Sequence, residues 1–168
     1  MQRGALIYDV IRDEHRKILA LAERLEQTTN QTTRPEPERW RQLSSVLRQR
    51  LDAQIRVERD LLAPRLRVYP ETRTDADTSD RQNRELDERL ASMEETSVTD
   101  AKFRRHVEIF ACQLRQHVER VQREIFPRAR RVLSEEEARA IGARARDAVG
   151  AAEEIQASVV APRVEARA

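Results

Sequence analysis

The sequence predicts an all-α fold: an up-down-up-down four-helix bundle with an additional C-terminal helix. The chain of 168 residues contains only three glycines, which disfavours a turn-rich β fold and excludes a P-loop and a dinucleotide fingerprint. Good helix formers such as alanine, leucine, glutamate and arginine are abundant. Apolar residues recur at intervals of three and four, as on the buried face of a helix. We expect residues 1–133 to form the bundle, 134–158 a fifth helix packed on it, and 159–168 a flexible tail.

The first two helices are each followed by a polar segment. Helix one is expected over residues 5–27, ahead of a polar stretch. Helix two is expected from the prolines near residue 35 to about residue 67, because proline suits a first helical turn. Pro64 should end or kink the last turns of helix two, since proline lacks a backbone N–H. The polar residues 69–79 then predict a loop.

Capping residues mark the starts of the other three helices. Ser79 or Thr78 is expected to cap helix three, and Thr99 is expected to cap helix four. Ser134 followed by Glu137 has the pattern of a capping box for helix five. The small residues of helix five favour packing across the bundle, with a second subunit as the alternative. The predicted bounds are 79–95, 100–132 and 134–158.

Charge and composition exclude several classes of function. The 32 basic and 30 acidic residues give a net charge of +2 and are interleaved, so we expect no nucleic-acid partner. No stretch approaches the roughly 20 apolar residues of a membrane helix, and Met1 to Leu6 lack the apolar run of a secretory signal. We therefore expect no membrane partner and a cytoplasmic location. Cys112 is the only cysteine, which excludes an intrachain disulfide. It lies opposite the apolar face of helix four, toward helix five or solvent, and we favour a packed thiol over a redox role.

Five polar residues interrupt the predicted apolar faces of the four bundle helices. A buried polar group without a partner costs about 1–3 kcal/mol. A cluster at one level of the bundle would let these side chains pair with one another or share a metal. Imidazole and carboxylate groups that project inward from facing helices hold di-iron sites in helical bundles. The five residues are His15, Gln54, Glu58, Asn83 and His117.

The chain also contains an internal repeat, in which a pattern of residues recurs 63 positions later. Gln54, Glu58 and Pro64 in the first half correspond to His117, Val121 and Pro127 in the second. The segment that begins at His15 matches the segment that begins at Asn83 in its apolar spacing. Each half is thus predicted to be a helical hairpin that carries polar residues on both helices.

These residues resemble the hemerythrin-like (HHE cation-binding) domain family over about residues 5–150. The resemblance rests on the segments DEHRKI at 13–18, VERDLLAP at 57–64, His117 through EIFP at 124–127, and LSEEE at 133–137. It implies a site in which histidines bind two irons and carboxylates bridge them. Known roles in the family include oxygen or nitric oxide handling, redox or iron sensing, and iron storage.

The ligand set that the resemblance implies is incomplete here. His15, Glu58 and His117 match expected ligands. The remaining three positions carry other side chains: Gln54 and Asn83 stand where histidines are expected, and Val121 stands where the second carboxylate belongs. The resemblance further implies that His15 and His117 would serve different irons. We therefore expect no intact di-iron centre.

Two interpretations of the remaining polar residues stay open. In one, His15, Glu58 and His117 bind a single iron(II) with open coordination positions. In the other, Glu58 accepts hydrogen bonds from the histidines in a metal-free network, and the amides of Gln54 and Asn83 complete the pairing.

The prediction for function is a non-enzymatic sensor or interaction module with a degenerate metal site and no catalytic residues. Its partner would be another protein or a second copy of the chain. The alternative is an iron-binding protein, mononuclear or residual di-iron, that handles oxygen, nitric oxide or peroxide through His15, Glu58 and His117. A third interpretation is a structural or oligomerising bundle whose buried polar layer fixes helix register.

Overall fold

The computed structural model describes residues 4–30 and 36–160, and within them the chain forms five long helices. The all-α prediction is confirmed. Helices α1, α3 and α5 are regular, whereas α2 and α4 each contain a π-helical segment between two α-helical segments. The bounds are Ile7–Asn30 for α1; Pro37–Arg56, Val57–Leu62 and Ala63–Arg67 for α2; Pro70–Glu95 for α3; Phe103–Arg120, Val121–Ile125 and Phe126–Val132 for α4; and Glu135–Val160 for α5.

The buried apolar residues form two clusters at opposite ends of the bundle. One cluster holds Ile7, Ile11 and Phe126 and includes residues of α5. The other holds Ile18, Leu47 and Phe110. The buried residues His15, Gln54, Glu58, Asn83 and His117 lie at the level between them. A polar layer therefore divides the core, as the interrupted apolar faces predicted.

The expected loop over residues 69–79 is wrong, because α3 begins at Pro70. Tyr69 has extended backbone angles (φ −101°, ψ 127°), which the following proline favours, and Pro70 occupies the first turn. The Thr72 hydroxyl donates to the Leu66 carbonyl at 2.7 Å and secures the corner. Ser79 therefore lies well inside α3 and caps nothing.

Capping was predicted correctly for α5 and wrongly for α4. The Glu137 carboxylate accepts from the Ser134 N–H at 2.9 Å, and the Ser134 hydroxyl accepts from the Glu137 N–H at 3.2 Å, which completes the capping box. At α4 the side chain that accepts a backbone N–H is Asp100, 2.7 Å from the nitrogen of Lys102. Thr99 is not the cap, and the helix begins three residues later than expected, at Phe103.

Pro64 neither ends nor sharply interrupts α2, because a π-helical turn precedes it. The Ala63 N–H bonds to the Glu58 carbonyl, five residues back, instead of the usual four. The second half repeats this arrangement, since the Phe126 N–H bonds to the Val121 carbonyl just before Pro127. A proline ring collides with the carbonyl four residues earlier in a regular α-helix, and the wider turn relieves that conflict.

Helix α5 packs on the bundle along a face of small and branched residues. Ala138, Ile141, Ala145 and Val149 are buried in the same cluster as Ile7 and Val57. Residues 161–168 of the predicted tail lie outside the described residues, and α5 continues to Val160. Within the described ranges, no helix is both long and apolar enough to cross a membrane.

Candidate metal centre

Glu58 lies at the centre of the polar layer, in the π-helical segment of α2. Its side chain is 2% exposed, so its charge must be compensated by neighbouring groups. His15 of α1 brings its Nε2 to 3.0 Å from Glu58 Oε1. His117 of α4 brings its Nε2 to 3.2 Å from Glu58 Oε2. The three residues therefore converge, and one ligand atom of each lies within 4.8 Å of the others.

The two predicted amide residues also face the Glu58 carboxylate. Gln54, one turn earlier on α2, donates from Nε2 to Oε1 at 2.8 Å. Asn83 of α3 donates from Nδ2 to Oε2 at 2.8 Å. Both oxygens of this buried carboxylate thus accept hydrogen bonds from amides that stand at positions where the resemblance implies histidines. This is the pairing that the metal-free interpretation predicts.

The two histidines sit in unequal surroundings. The rings of His15 and His117 are 5.7 Å apart in an edge-to-face arrangement. The second ring nitrogen of His117, Nδ1, lies 3.2 Å from Oε1 of the Gln82 side-chain amide. This oxygen accepts a hydrogen bond when Nδ1 carries the proton. The second ring nitrogen of His15, Nδ1, is buried without a hydrogen-bond partner in the part of the chain that the structure describes. Gln82 therefore fixes the orientation of His117 only.

His117 Nε2 is the less satisfied of the two nitrogens near Glu58. It lies at ion-pair distance from Oε2 but not in the geometry of a hydrogen bond, and among the described residues it has no other partner. Val121, one turn further along α4, is buried and carries no donor or acceptor on its side chain. The α4 side of the layer is consequently poorer in ligands than the α2 side.

The environment of Glu58 favours its charged form. Burial by itself raises the pKa of the carboxyl, but the interactions with His117 and then His15 outweigh burial. The net effect holds the pKa of Glu58 well below its ordinary value. The carboxylate is thus an anion at neutral pH, which suits either a set of hydrogen-bond donors or a cation.

Sequence reasoning missed two residues of this layer. Ser79 was expected to be a helix cap, but its hydroxyl donates to Glu58 Oε2 at 3.2 Å. Gln82 was not singled out, although it contacts His117. The signal for Ser79 was a spacing of three and four residues that links it to buried Thr72, Asp75 and Asn83 along one face of α3. No comparable signal marks Gln82, which is half-buried beside that face.

Cys112 lies outside the layer. The prediction of a packed thiol is wrong, because Cys112 is exposed on α4. Its neighbours Phe110, Ala111 and Leu114 are buried, so the buried face of α4 passes beside Cys112 without including it.

The fold is a helical bundle whose converging histidines and carboxylate form a candidate cation site. A family model described as the hemerythrin HHE cation binding domain matches residues 6–129, and the chain belongs to this family. A solved structure, a hemerythrin HHE cation binding domain-containing protein from Mycobacterium kansasii that is a homolog of Rv2633c, is similar in fold. The two chains are 19% identical, with a TM-score of 0.72 over 97% of this chain and 95% of that one. No curated protein matches the sequence.

The side chains present do not fit the pair of irons that the family resemblance implied. Val121 supplies no ligand, and Gln54 and Asn83 offer amides where the resemblance implies imidazoles. A single divalent cation does fit, because two imidazole nitrogens and a carboxylate lie within 4.8 Å of one another. His15 faces Oε1 of Glu58 and His117 faces Oε2, an arrangement that suits one cation as well as the two separate metals that the resemblance implies for these histidines.

Proposed function

We propose that this hemerythrin-family chain is a non-enzymatic sensor or interaction module that does not assemble a di-iron centre. The observation that carries the proposal is the set of donors around Glu58. Gln54, Asn83 and Ser79 all donate to its two oxygens, at 2.8, 2.8 and 3.2 Å. A bridging carboxylate would instead direct those oxygens to two metals. The amides and the hydroxyl compensate the buried charge where a second metal would otherwise do so.

The missing ligands support the same proposal. A di-iron site in a helical bundle draws its carboxylates and histidines from all four helices. Here α3 contributes an amide at Asn83, and α4 contributes an aliphatic side chain at Val121. The side of the layer formed by these two helices therefore has His117 as its one strong ligand among the described residues.

Metal analysis tests the proposal directly. The protein is produced in iron-supplemented medium, its metal content is measured by mass spectrometry, and its absorption spectrum is recorded. We expect fewer than two irons per chain and no oxo-bridge absorption. Two irons per chain with oxo-bridge bands would overturn the proposal, because other groups would then have to complete the site.

A second candidate function is the binding of one divalent cation, iron(II) first, by His15, Glu58 and His117. The observation that favours it is His117 Nε2, a buried nitrogen that lacks a hydrogen-bond partner within the described residues and lies 3.2 Å from Glu58 Oε2. Iron held by two histidines and one carboxylate keeps open positions for oxygen, nitric oxide or peroxide. Gln82 would hold the His117 ring so that Nε2 faces the cation.

A pair of histidine variants tests this second candidate. His117→Ala should abolish uptake of iron(II), whereas His106→Ala should leave it unchanged. His106 is the matched control because it lies on the same helix, three turns from His117, and belongs to no ligand cluster in the described chain. Equal uptake by the two variants would remove His117 from the assignment.

The proposed partner is another protein or a second copy of the chain. Among the described residues, Val68 is the one exposed large hydrophobic side chain, at 67% exposure, so partner binding would depend on charged groups. We expect such binding to weaken between about 0.1 and about 1 M salt, because the distance over which exposed charges interact falls from about 10 Å to about 3 Å across that range. Binding that does not depend on salt would exclude a charged interface. A cytoplasmic location remains a prediction from the sequence.

A further inference from the structure

The carbonyl oxygen of the Gln54 side chain is the least satisfied atom of the α2 half of the layer. The amide nitrogen donates to Glu58 Oε1 at 2.8 Å and lies 3.2 Å from His15 Nε2. The amide oxygen, Oε1, is buried and accepts no hydrogen bond from the residues that the structure describes. A buried amide whose nitrogen is hydrogen-bonded and whose oxygen has no partner can gain a partner for the oxygen by adopting a second orientation.

The orientation of the Gln54 amide depends on what lies between Glu58 and His15. An amide oxygen placed where the nitrogen now stands would lie against the negative Glu58 carboxylate, so without a cation the N–H₂ end is preferred. A cation reverses that preference, because carbonyl oxygens are ligands and N–H₂ groups are not. Rotation of the terminal amide by about 180° exchanges the two ends without moving the backbone.

Gln54, His15 and one oxygen of Glu58 lie at distances close to those between the ligands of a four-coordinate ion, and His117 lies beside the other oxygen of Glu58. Ligand atoms at 2.0–2.1 Å from a tetrahedral metal are about 3.4 Å apart. The nitrogen of Gln54 lies 2.8 Å from Glu58 Oε1 and 3.2 Å from His15 Nε2. His15 Nε2 lies 3.0 Å from Glu58 Oε1, and His117 Nε2 lies 3.2 Å from Glu58 Oε2. To hold one ion, Gln54 and His15 would move slightly away from Glu58, and His117, whose ligand atom lies within 4.8 Å of those of His15 and Glu58, would close on them.

We propose that Gln54 is a fourth cation ligand, which turns its amide oxygen inward when His15, Glu58 and His117 bind a single divalent ion. The inference rests on the second candidate function above. One ion would provide a partner for both Gln54 Oε1 and His117 Nε2, which are buried and have no hydrogen-bond partner among the described residues. The resulting set of two nitrogens and two oxygens suits iron(II) and zinc rather than the soft ion copper(I).

Three variants of the full chain test the assignment, with zinc as the probe and a coloured chelator as competitor. Gln54→Leu removes the oxygen at similar volume, Gln54→Glu keeps an oxygen, and Asn83→Leu is the matched control. Asn83 also donates to Glu58, but its deletion leaves Gln54 in place. Circular dichroism confirms that each variant is folded.

We expect Gln54→Leu to weaken zinc binding by about tenfold or more, in the range seen when one group of a metal site is lost. Gln54→Glu should bind at least as tightly as wild type, and Asn83→Leu should weaken binding less than Gln54→Leu. Equal affinity of Gln54→Leu and wild type, together with loss of binding in His117→Ala, would overturn the role of Gln54 and leave the one-cation function intact. Absence of zinc binding by the wild type would overturn both.

Discussion

The close approach of α5 to the start of α1 can be tested at Gly142. A methyl group at this position would collide with the carbonyl oxygen of Ala5 and lie 2.8 Å from the backbone nitrogen of Ile7. Both contacts are with backbone, which cannot rotate away as a side-chain tip can. Arg139 holds the same segment by donating to the Gly4 carbonyl at 2.7 Å. Gly142→Ala should therefore push α5 and the N-terminal segment apart.

Gly150 supplies the matched control for this variant. It lies two turns further along the same helix, and a methyl group there would meet nothing within 4 Å. Alanine in place of a helical glycine stabilises by about 1 kcal/mol at either position. Overpacking adds a penalty of about 1–3 kcal/mol at Gly142 alone. The difference between Gly142→Ala and Gly150→Ala isolates that penalty, because the gain in helix propensity cancels.

Urea denaturation of both variants measures the difference. We expect Gly142→Ala to unfold with a free energy about 1–3 kcal/mol below that of Gly150→Ala at an unchanged slope. Hydrogen exchange should also become faster at the amides of Asp9 and Val10, which donate to the Leu6 carbonyl at the start of α1. Equal unfolding free energies for the two variants would refute the close contact between α5 and α1.

The remaining predictions concern Glu58 and the start of α5. Glu58→Leu should lower the free energy of unfolding by about 3–5 kcal/mol, because facing polar groups lose their partner; unchanged stability in denaturation would contradict the network. Glu58→Gln should be less stable than wild type at pH 7, and this deficit should shrink below about pH 4. The lowered pKa of Glu58 gives stability that is present above the unfolded-state pKa and lost on acidification; a deficit that stays constant down to pH 3 would contradict it. Ser134→Ala should cost about 1 kcal/mol in a thermal melt, whereas Ser92→Ala, its exposed control inside α3, should change stability by no more than about 0.5 kcal/mol.

The sequence predicted the helices whose buried faces are apolar and the level at which polar residues meet. The spacing around His15 on α1 and His117 on α4 located those two faces, because apolar neighbours three and four residues away fix which side of a helix is buried. The same spacing identified Glu58 as a buried carboxylate. Family resemblance then supplied the expected ligand positions, against which Gln54 and Val121 stand out.

Three features escaped prediction for physical reasons. The first turns of α3 are rich in Thr, Asp and Ser, which favour turns in isolation, and tertiary burial of Thr72 and Ala76 overrides that preference. The π-helical turns leave no periodic signal, since each is one turn long. The contact of Gln82 with His117 depends on the rotation of α3 about its own axis, which apolar spacing defines only to within about a residue.

The two π-helical turns have a consequence for protein engineering. Both precede a proline, Pro64 or Pro127, yet the carbonyl that closes the first turn belongs to Glu58 and the one that closes the second belongs to Val121. The backbone therefore has the same shape whether the residue at this position carries a carboxylate or an aliphatic side chain. Exchanging Gln54, Asn83 and Val121 one at a time for His, His and Glu would build ligands onto an existing framework. This chain thus offers a graded series in which the contribution of each ligand to metal chemistry can be measured separately.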